Sequence, residues 1–164
     1  MPDSLPASLL DVELQPRKPP ILRADTAGDA PGWAAEQRDA LRAVVAEHGA
    51  VLVRGLHLRN APEISAVFRQ LSTELMIEKE AFAARRIYPD GVYSFGADVV
   101  QLLNQVYEDN TVREPWQAGD LMLVDNIRTA HSREAYEGPR EILVGMADPV
   151  RLADCSPTIA VTPG

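Results

Sequence analysis

The stretch 116–146 contains the side chains of this sequence that are best suited to chemistry. His131 follows the apolar run 121–124, and Arg140 precedes a second apolar run, 142–147. A neutral imidazole is the most common transition-metal ligand in proteins, and a guanidinium matches a carboxylate through two parallel hydrogen bonds. If both runs are buried strands with His131 and Arg140 at their mouths, they would hold a metal beside a carboxylate-bearing cosubstrate.

A longer pattern surrounds these two residues. It consists of Trp116, Gly119, Asp120, Leu123, Asp125, Asn126, His131, Arg133, Tyr136, Gly138, Pro139 and Arg140. This pattern resembles the C-terminal signature of the TauD/TfdA-like Fe(II)/2-oxoglutarate dioxygenases. It is most similar to the SyrP-like branch, which hydroxylates amino acids or carrier-bound intermediates in natural-product pathways. The resemblance implies that His131 is the distal iron ligand. It implies that Arg140 pairs with the far carboxylate of 2-oxoglutarate, with Arg133 as the alternative. Without the motif, His131 would more often be a polar strand-end residue and Arg140 a surface cation.

Two further segments resemble the same family, but a central part of the family pattern is missing. Residues 49–56 resemble an early strand, and residues 81–94 resemble the segment that leads towards the metal site. In the family, a long region then supplies two ligands as a His-x-Asp or His-x-Glu pair. Here residue 94 is followed by a helix like the one just before the C-terminal signature, which indicates an internal deletion near 94/95.

The missing ligand pair can be checked against the histidines of the chain. His48, His57 and His131 are the three histidines, and none is followed two residues later by Asp or Glu. The facial triad of two histidines and one carboxylate that non-haem iron oxygenases use is thus reduced to His131. The carboxylates that could substitute by type are Asp90, Asp98, Asp120 and Asp125. Asp125 is the best placed of these, although hydrogen bonding within a turn is the stronger interpretation of it.

The composition limits the classes of function. The formal net charge of -8 argues against a nucleic-acid-binding surface, which would be basic. No apolar run approaches the ~20 residues of a membrane span, and no basic region precedes the first apolar patch as in a secretory signal. The single cysteine, Cys155, cannot form a disulfide within the chain. We therefore expect a soluble, acidic, cytoplasmic protein. The family resemblance, rather than the composition, implies a small or carrier-bound substrate.

The elements that must position the site can be predicted from local patterns. Residues 1–32 form a proline-rich segment with short strands near Val12 and at residues 21–22, and residues 151–164 form a tail. Between them, residues 33–150 form the family-like domain. Its predicted helices are 33–48, 60–75 with an N-cap from Asn60 and Glu63, and 98–107 with a capping box from Asp98 and Gln101 and an apolar stripe. Its predicted strands are 50–53, 121–124, one at His131, and 142–146.

These elements predict an α+β fold, in the form of a partial double-stranded β-helix (jelly-roll-like). Four or five strands are too few to close an eight-stranded barrel, so we expect an open mixed sheet flanked by helices. The exposed edges of such a sheet favour a homodimer.

Three hypotheses about function remain open. The chain is a shortened Fe(II)/2-oxoglutarate-dependent oxygenase, or a non-catalytic relative that serves as a binding or partner subunit or is a deletion remnant. Alternatively, the native protein contains the missing middle.

Overall fold

The computed structural model describes residues 11–73, 96–132, 134–139 and 142–150. In chain order the elements are β1 (Val12–Glu13), β2 (Ile21–Arg23), α1 (Ala30–His48), β3 (Ala50–Arg54), α2 (Ala61–Leu71), α3 (Ala97–Asn110) and β4 (Leu121–Val124). The strands form one sheet in the order β1-β2-β3-β4. The β2–β3 pair is parallel, whereas β1–β2 and β3–β4 are antiparallel. The expected α+β content and open mixed sheet are confirmed for the described residues, and the jelly-roll interpretation stays a prediction.

Strand β3 is the centre of the core. Its sequence AVLVR is continuously apolar up to the last residue, and Val51, Leu52 and Val53 are completely buried. Leu52 pairs with Ile21 of β2 on one side and with Met122 of β4 on the other. Helix α1 packs against β3, and α2 packs against α1. A strand that is covered in this way needs apolar side chains at successive positions, which is the pattern that predicted it.

The ends of α1 are set by residues with side-chain or backbone caps. The helix begins at Ala30, three residues before the predicted start, because Asp29 Oδ1 accepts a hydrogen bond from the Gly32 amide at 2.9 Å. It ends at His48, and Gly49 follows with a φ of 84° and donates its amide to Val45 O at 2.8 Å. This is a left-handed glycine stop, and it ends the helix at the predicted residue.

Helix α2 confirms the predicted N-cap but is shorter than predicted. Asn60 Oδ1 accepts from the Glu63 amide at 3.0 Å, and Glu63 Oε2 accepts from the Arg59 amide at 2.9 Å. The helix ends at Leu71 rather than Leu75, because Ser72 has extended backbone and donates its hydroxyl to Phe68 O.

Helix α3 differs more from the prediction. It is longer, from Ala97 to Asn110, and the predicted capping box is wrong: Gly96 is the N-cap, and no side chain caps the helix. The apolar stripe is present, but it does not pack against the rest of the described structure. Its side chains are between 36% and 63% exposed, and no residue of this described helix is buried.

The predicted strands at His131 and at 142–146 are wrong. Residues 142–146 do not form a strand and are exposed, and Val144 is 80% exposed. The chain is instead held against the helices: Gly145 lies against the ring of Phe68, and Asp148 accepts from the Thr73 amide at 2.7 Å and pairs with Arg42 of α1. These contacts attach the segment to α1 and to the C-terminal part of α2. None of the described helices is both long enough and apolar enough to cross a membrane.

Candidate functional site

The segment that carries His131 is fixed at the point where α1 meets β3. The Asp125 amide donates to Gly49 O at 2.8 Å, which continues the β3–β4 pairing by one step. Thr129 Oγ1 donates to the same carbonyl at 3.2 Å. A Cβ at Gly49 would lie 2.5 Å from Thr129 Oγ1, so the close approach requires glycine. His131 therefore lies two residues after Thr129, which is anchored to Gly49.

The carboxylate of Asp125 is used within the turn that follows β4. Its Oδ1 accepts from the Ile127 amide at 3.0 Å and from the Arg128 amide at 3.3 Å. The side chain of Arg128 in turn donates to Ala46 O of α1. The interpretation of Asp125 as a turn residue is confirmed. Its Oδ1 accepts two backbone hydrogen bonds and is therefore less available as a metal ligand.

His131 is one of the residues that line an open depression on the surface. The residues that line it are Tyr107, Asn126, Ile127, Arg128, Thr129, Ala130 and His131. The imidazole is exposed, and no carboxylate is among these lining residues. Across the described parts of the chain, no three His, Cys, Asp or Glu side chains come together in a way that could hold a metal ion. The described donors thus do not fit a facial triad around iron.

Several of the candidate residues fall outside the described ranges. Arg133 and Arg140 are among them, as are Asp90, Cys155 and the family-like segment 81–94. Since both arginines are outside these ranges, the structure does not test whether either of them meets His131.

Of the described candidates, Asp98 is at the start of α3, and Asp120 belongs to an ionic cluster that is described below.

The chain just after His131 is tied to the end of α3 by an exposed ion pair. Arg113 donates from Nε to Glu134 Oε1 at 2.6 Å and from Nη2 to Glu108 Oε2 at 2.9 Å. The hydrogen bond from Arg113 lowers the pKa of Glu108. Since all three side chains are well exposed, we expect this pair to orient the segment weakly rather than to stabilise the fold.

A buried ionic cluster, which the sequence reasoning missed, fixes the loop before β4. Arg54, the last residue of β3, has a side chain that is only 9% exposed. It donates from Nε to Asp120 Oδ2 at 3.2 Å, from Nη1 to Glu114 Oε1 at 2.7 Å, and from Nη2 to Pro115 O at 2.5 Å. Lys18 Nζ lies 3.1 Å from the second oxygen of Glu114. The signal was available, because a cation at the end of a buried strand requires anionic partners.

The cluster also determines the ionisation of its members. The hydrogen bond from Arg54, followed by the interaction with Lys18, lowers the pKa of Glu114. The hydrogen bond to Glu114 raises the pKa of Arg54 against the opposing effect of burial. Asp120 has a side chain that is 2% exposed and also accepts from the Gln117 amide at 2.9 Å, so it closes the turn at residues 117–120. It is structural in this position and is not a substitute iron ligand.

Comparison with known proteins supports the resemblance stated from the motif. Residues 83–147 match the model of the family described as taurine catabolism dioxygenase TauD, TfdA family. A clavaminate synthase-like protein of Arabidopsis thaliana is 38% identical over 50 residues, which cover 30% of this chain and 15% of that protein. The dapdiamide synthesis protein DdaC of Enterobacter agglomerans is 47% identical over 36 residues, or 22% of this chain and 11% of that protein. The matches thus span a small part of these relatives. No solved structure matches the chain.

Proposed function

We propose that this chain, a relative of the TauD, TfdA dioxygenases through residues 83–147, retains part of a non-haem Fe(II)/2-oxoglutarate oxygenase site. His131 takes the position of the distal iron ligand. Arg140 takes the position of the arginine that pairs with the far carboxylate of 2-oxoglutarate, with Arg133 as the alternative. The observation that supports this most is the family match, because its range includes all three residues.

The activity of the complete site would be hydroxylation of a small or carrier-bound substrate in the cytoplasm. The name of one relative refers to the synthesis of a natural product, dapdiamide, which is in keeping with a tailoring role. When bound, iron and 2-oxoglutarate supply the activation of O₂; the chain's own residues supply a ligand and a carboxylate partner. Substrate selection would depend on the region that family members have after the segment resembling 81–94.

The domain division follows from the same proposal. Residues 1–32 are the proline-rich segment, 33–150 the family-like domain with its central region missing near 94/95, and 151–164 the tail. Strands β1 and β2 lie within the first segment and pair into the sheet of the second. The proline-rich segment therefore contributes to the fold of the domain that follows it.

Iron binding by this chain alone should be weak. Loss of residues that merely orient metal ligands typically reduces affinity or activity ~10–100-fold, and the loss of direct ligands should cost more. His131 is one imidazole, and the described donors do not complete a triad around it. We therefore expect a site that binds 2-oxoglutarate and iron only when both are in large excess.

Anaerobic titration with Fe(II) and 2-oxoglutarate tests this proposal through the visible metal-to-ligand charge-transfer band. We expect a band that appears only at metal concentrations far above stoichiometric and is lost in His131→Ala. His48→Ala, a change at the exposed end of α1, is the matched control and should leave the band unchanged. Comparison of Arg140→Ala with Arg133→Ala identifies the arginine that binds the cosubstrate. A tight stoichiometric band would contradict the inference that the donor set is incomplete.

The second candidate function is a non-catalytic relative that acts as a binding or partner subunit. The observation that favours it is the exposed position of His131, which has no carboxylate beside it among the described residues that line the depression. This candidate predicts no charge-transfer band at any cosubstrate concentration. It also predicts that His131→Ala changes neither turnover nor the free energy of unfolding. Loss of a measurable 2-oxoglutarate turnover in His131→Ala would exclude it.

A further inference from the structure

Helix α3 has an apolar stripe that the residues described by the structure leave uncovered. Val99, Leu102, Leu103 and Val106 lie on one side of the helix at spacings of three, one and three residues, with Tyr107 beside them. Leu102 is 63% exposed and Tyr107 61% exposed, the highest values in the group. Large contiguous apolar patches of this kind usually mark an interaction surface.

The four central residues of the stripe are symmetric about a point between Leu102 and Leu103, whereas Val100 and Tyr107, which are also exposed, flank them on one side. Read in either direction, their residue types follow the order Val, Leu, Leu, Val with the same spacing. A two-fold axis between Leu102 and Leu103 would place Val99 against Val106 of a second copy, and would bring Leu102 and Leu103 each next to its own counterpart in that copy. A twofold interface uses the same patch on both copies, so a surface that is self-complementary in this way suits a second copy of the chain.

The area that would be buried and the charges beside it allow a weak pair of this kind. Complete burial of the exposed parts of the stripe and of Tyr107 on both copies would remove roughly 900 Å² from water, which falls in the range of weak, transient interfaces. The opposing charge effect is smaller. Asp98 and Asp109 lie along one edge of the stripe, and antiparallel pairing brings this edge against the same edge of the partner. Interactions between exposed charges are typically weak and are screened by salt, so this repulsion should weaken the apolar contact without preventing it.

We propose that α3 pairs antiparallel with α3 of a second copy, and that this surface, rather than the open sheet edges, forms a weak homodimer. The pairing would also alter the depression that contains His131, because Tyr107 belongs both to the stripe and to the wall of that depression. The proposal does not depend on iron binding, and its test uses no metal.

Sedimentation velocity of the full chain over a wide concentration range measures the association. We expect a reversible monomer–dimer equilibrium that strengthens as salt is added, since salt screens the repulsion between Asp98 and the partner's Asp109. Leu102→Glu should abolish the dimer. Gln101→Glu adds the same charge on the opposite side of the helix and should leave the dimer intact. Far-UV circular dichroism of both variants checks that α3 remains folded.

Disulfide trapping tests the antiparallel register. In a Cys155→Ser background, Leu103→Cys is close to the two-fold axis, with an axial offset from its copy of roughly 1.5 Å, and should form a cross-linked dimer. Val106→Cys would lie roughly 10 Å from its copy along the axis, beyond disulfide reach, and should not. A chain that stays monomeric at all concentrations would overturn the proposal. So would a dimer that survives Leu102→Glu, or one that cross-links through Val106→Cys and not through Leu103→Cys.

Discussion

Substitution of Arg54 by methionine should be among the most damaging single changes in the described structure. Methionine keeps the apolar volume of the side-chain stem but removes the hydrogen bonds to Asp120, Glu114 and the Pro115 carbonyl. Asp120, whose side chain is 2% exposed, would then lose its cationic partner. The loop that leads into β4 would also lose its attachment to the end of β3.

The expected magnitude follows from the asymmetry of buried ion pairs. Removing one partner of such a pair typically costs about 3–5 kcal/mol, because the remaining charge is left buried and uncompensated. The total free energy of unfolding of a domain is roughly 5–15 kcal/mol. The change should therefore remove a large fraction of the stability, and it should do so without creating a cavity in the core.

Urea unfolding followed by far-UV circular dichroism measures this effect. Arg69→Met is the matched control, because Arg69 is an exposed residue in the last turn of α2, and a surface change of this kind usually shifts stability by no more than about 0.5 kcal/mol. Arg54→Lys keeps the charge but loses the forked geometry, so we expect an intermediate loss. Equal midpoints for Arg54→Met and Arg69→Met would refute the idea that the cluster holds β3 and the loop before β4 together.

Three further changes test other parts of the structure. Arg54 lowers the pKa of Glu114, so the unfolded chain takes up a proton at higher pH than the folded chain. The free energy of unfolding should therefore fall as the pH drops below roughly 4.5. Urea titrations at several pH values measure this dependence, and Glu114→Gln should flatten it. Gly49→Ala should destabilise by about 1–2 kcal/mol through its φ of 84° alone, with partial recovery when Thr129→Ala removes the contact at 2.5 Å. Asn60→Ala should cost about 1 kcal/mol in thermal unfolding through loss of the α2 cap, and an unchanged midpoint would show that the cap contributes nothing.

The features that the sequence predicted well depend on interactions between neighbouring residues. The N-cap at Asn60 needs only Glu63 three residues later, and the end of α1 needs only a glycine that can adopt a positive φ. The burial of β3 could also be predicted locally, because a continuous apolar run must be covered whatever elements pack on it.

The features that the sequence did not predict depend on residues far apart in the chain. The segment 142–146 has a strand-like composition, but contacts of Gly145 with Phe68 and of Asp148 with Arg42 hold it on the helices. Helix α3 has an amphipathic pattern, which identifies an apolar face but not what covers it. The Arg54 cluster joins residues from three separate stretches of chain, so its partners could not be assigned from local patterns.

The antiparallel pairing of β3 with β4 has a consequence for how the length of this chain can change. The two strands are neighbours in the sheet, yet the whole stretch 55–120 lies between them in sequence. The entropy cost of closing a loop grows only with the logarithm of its length, at about 0.6 kcal/mol for each doubling. Gain or loss of a central region near 94/95 would therefore change the closure entropy by a small amount and leave the register Val53–Leu121 intact. In evolution, this sheet can tolerate large differences in the connecting chain, because its register is set by the strands themselves and by the Arg54 cluster beside them.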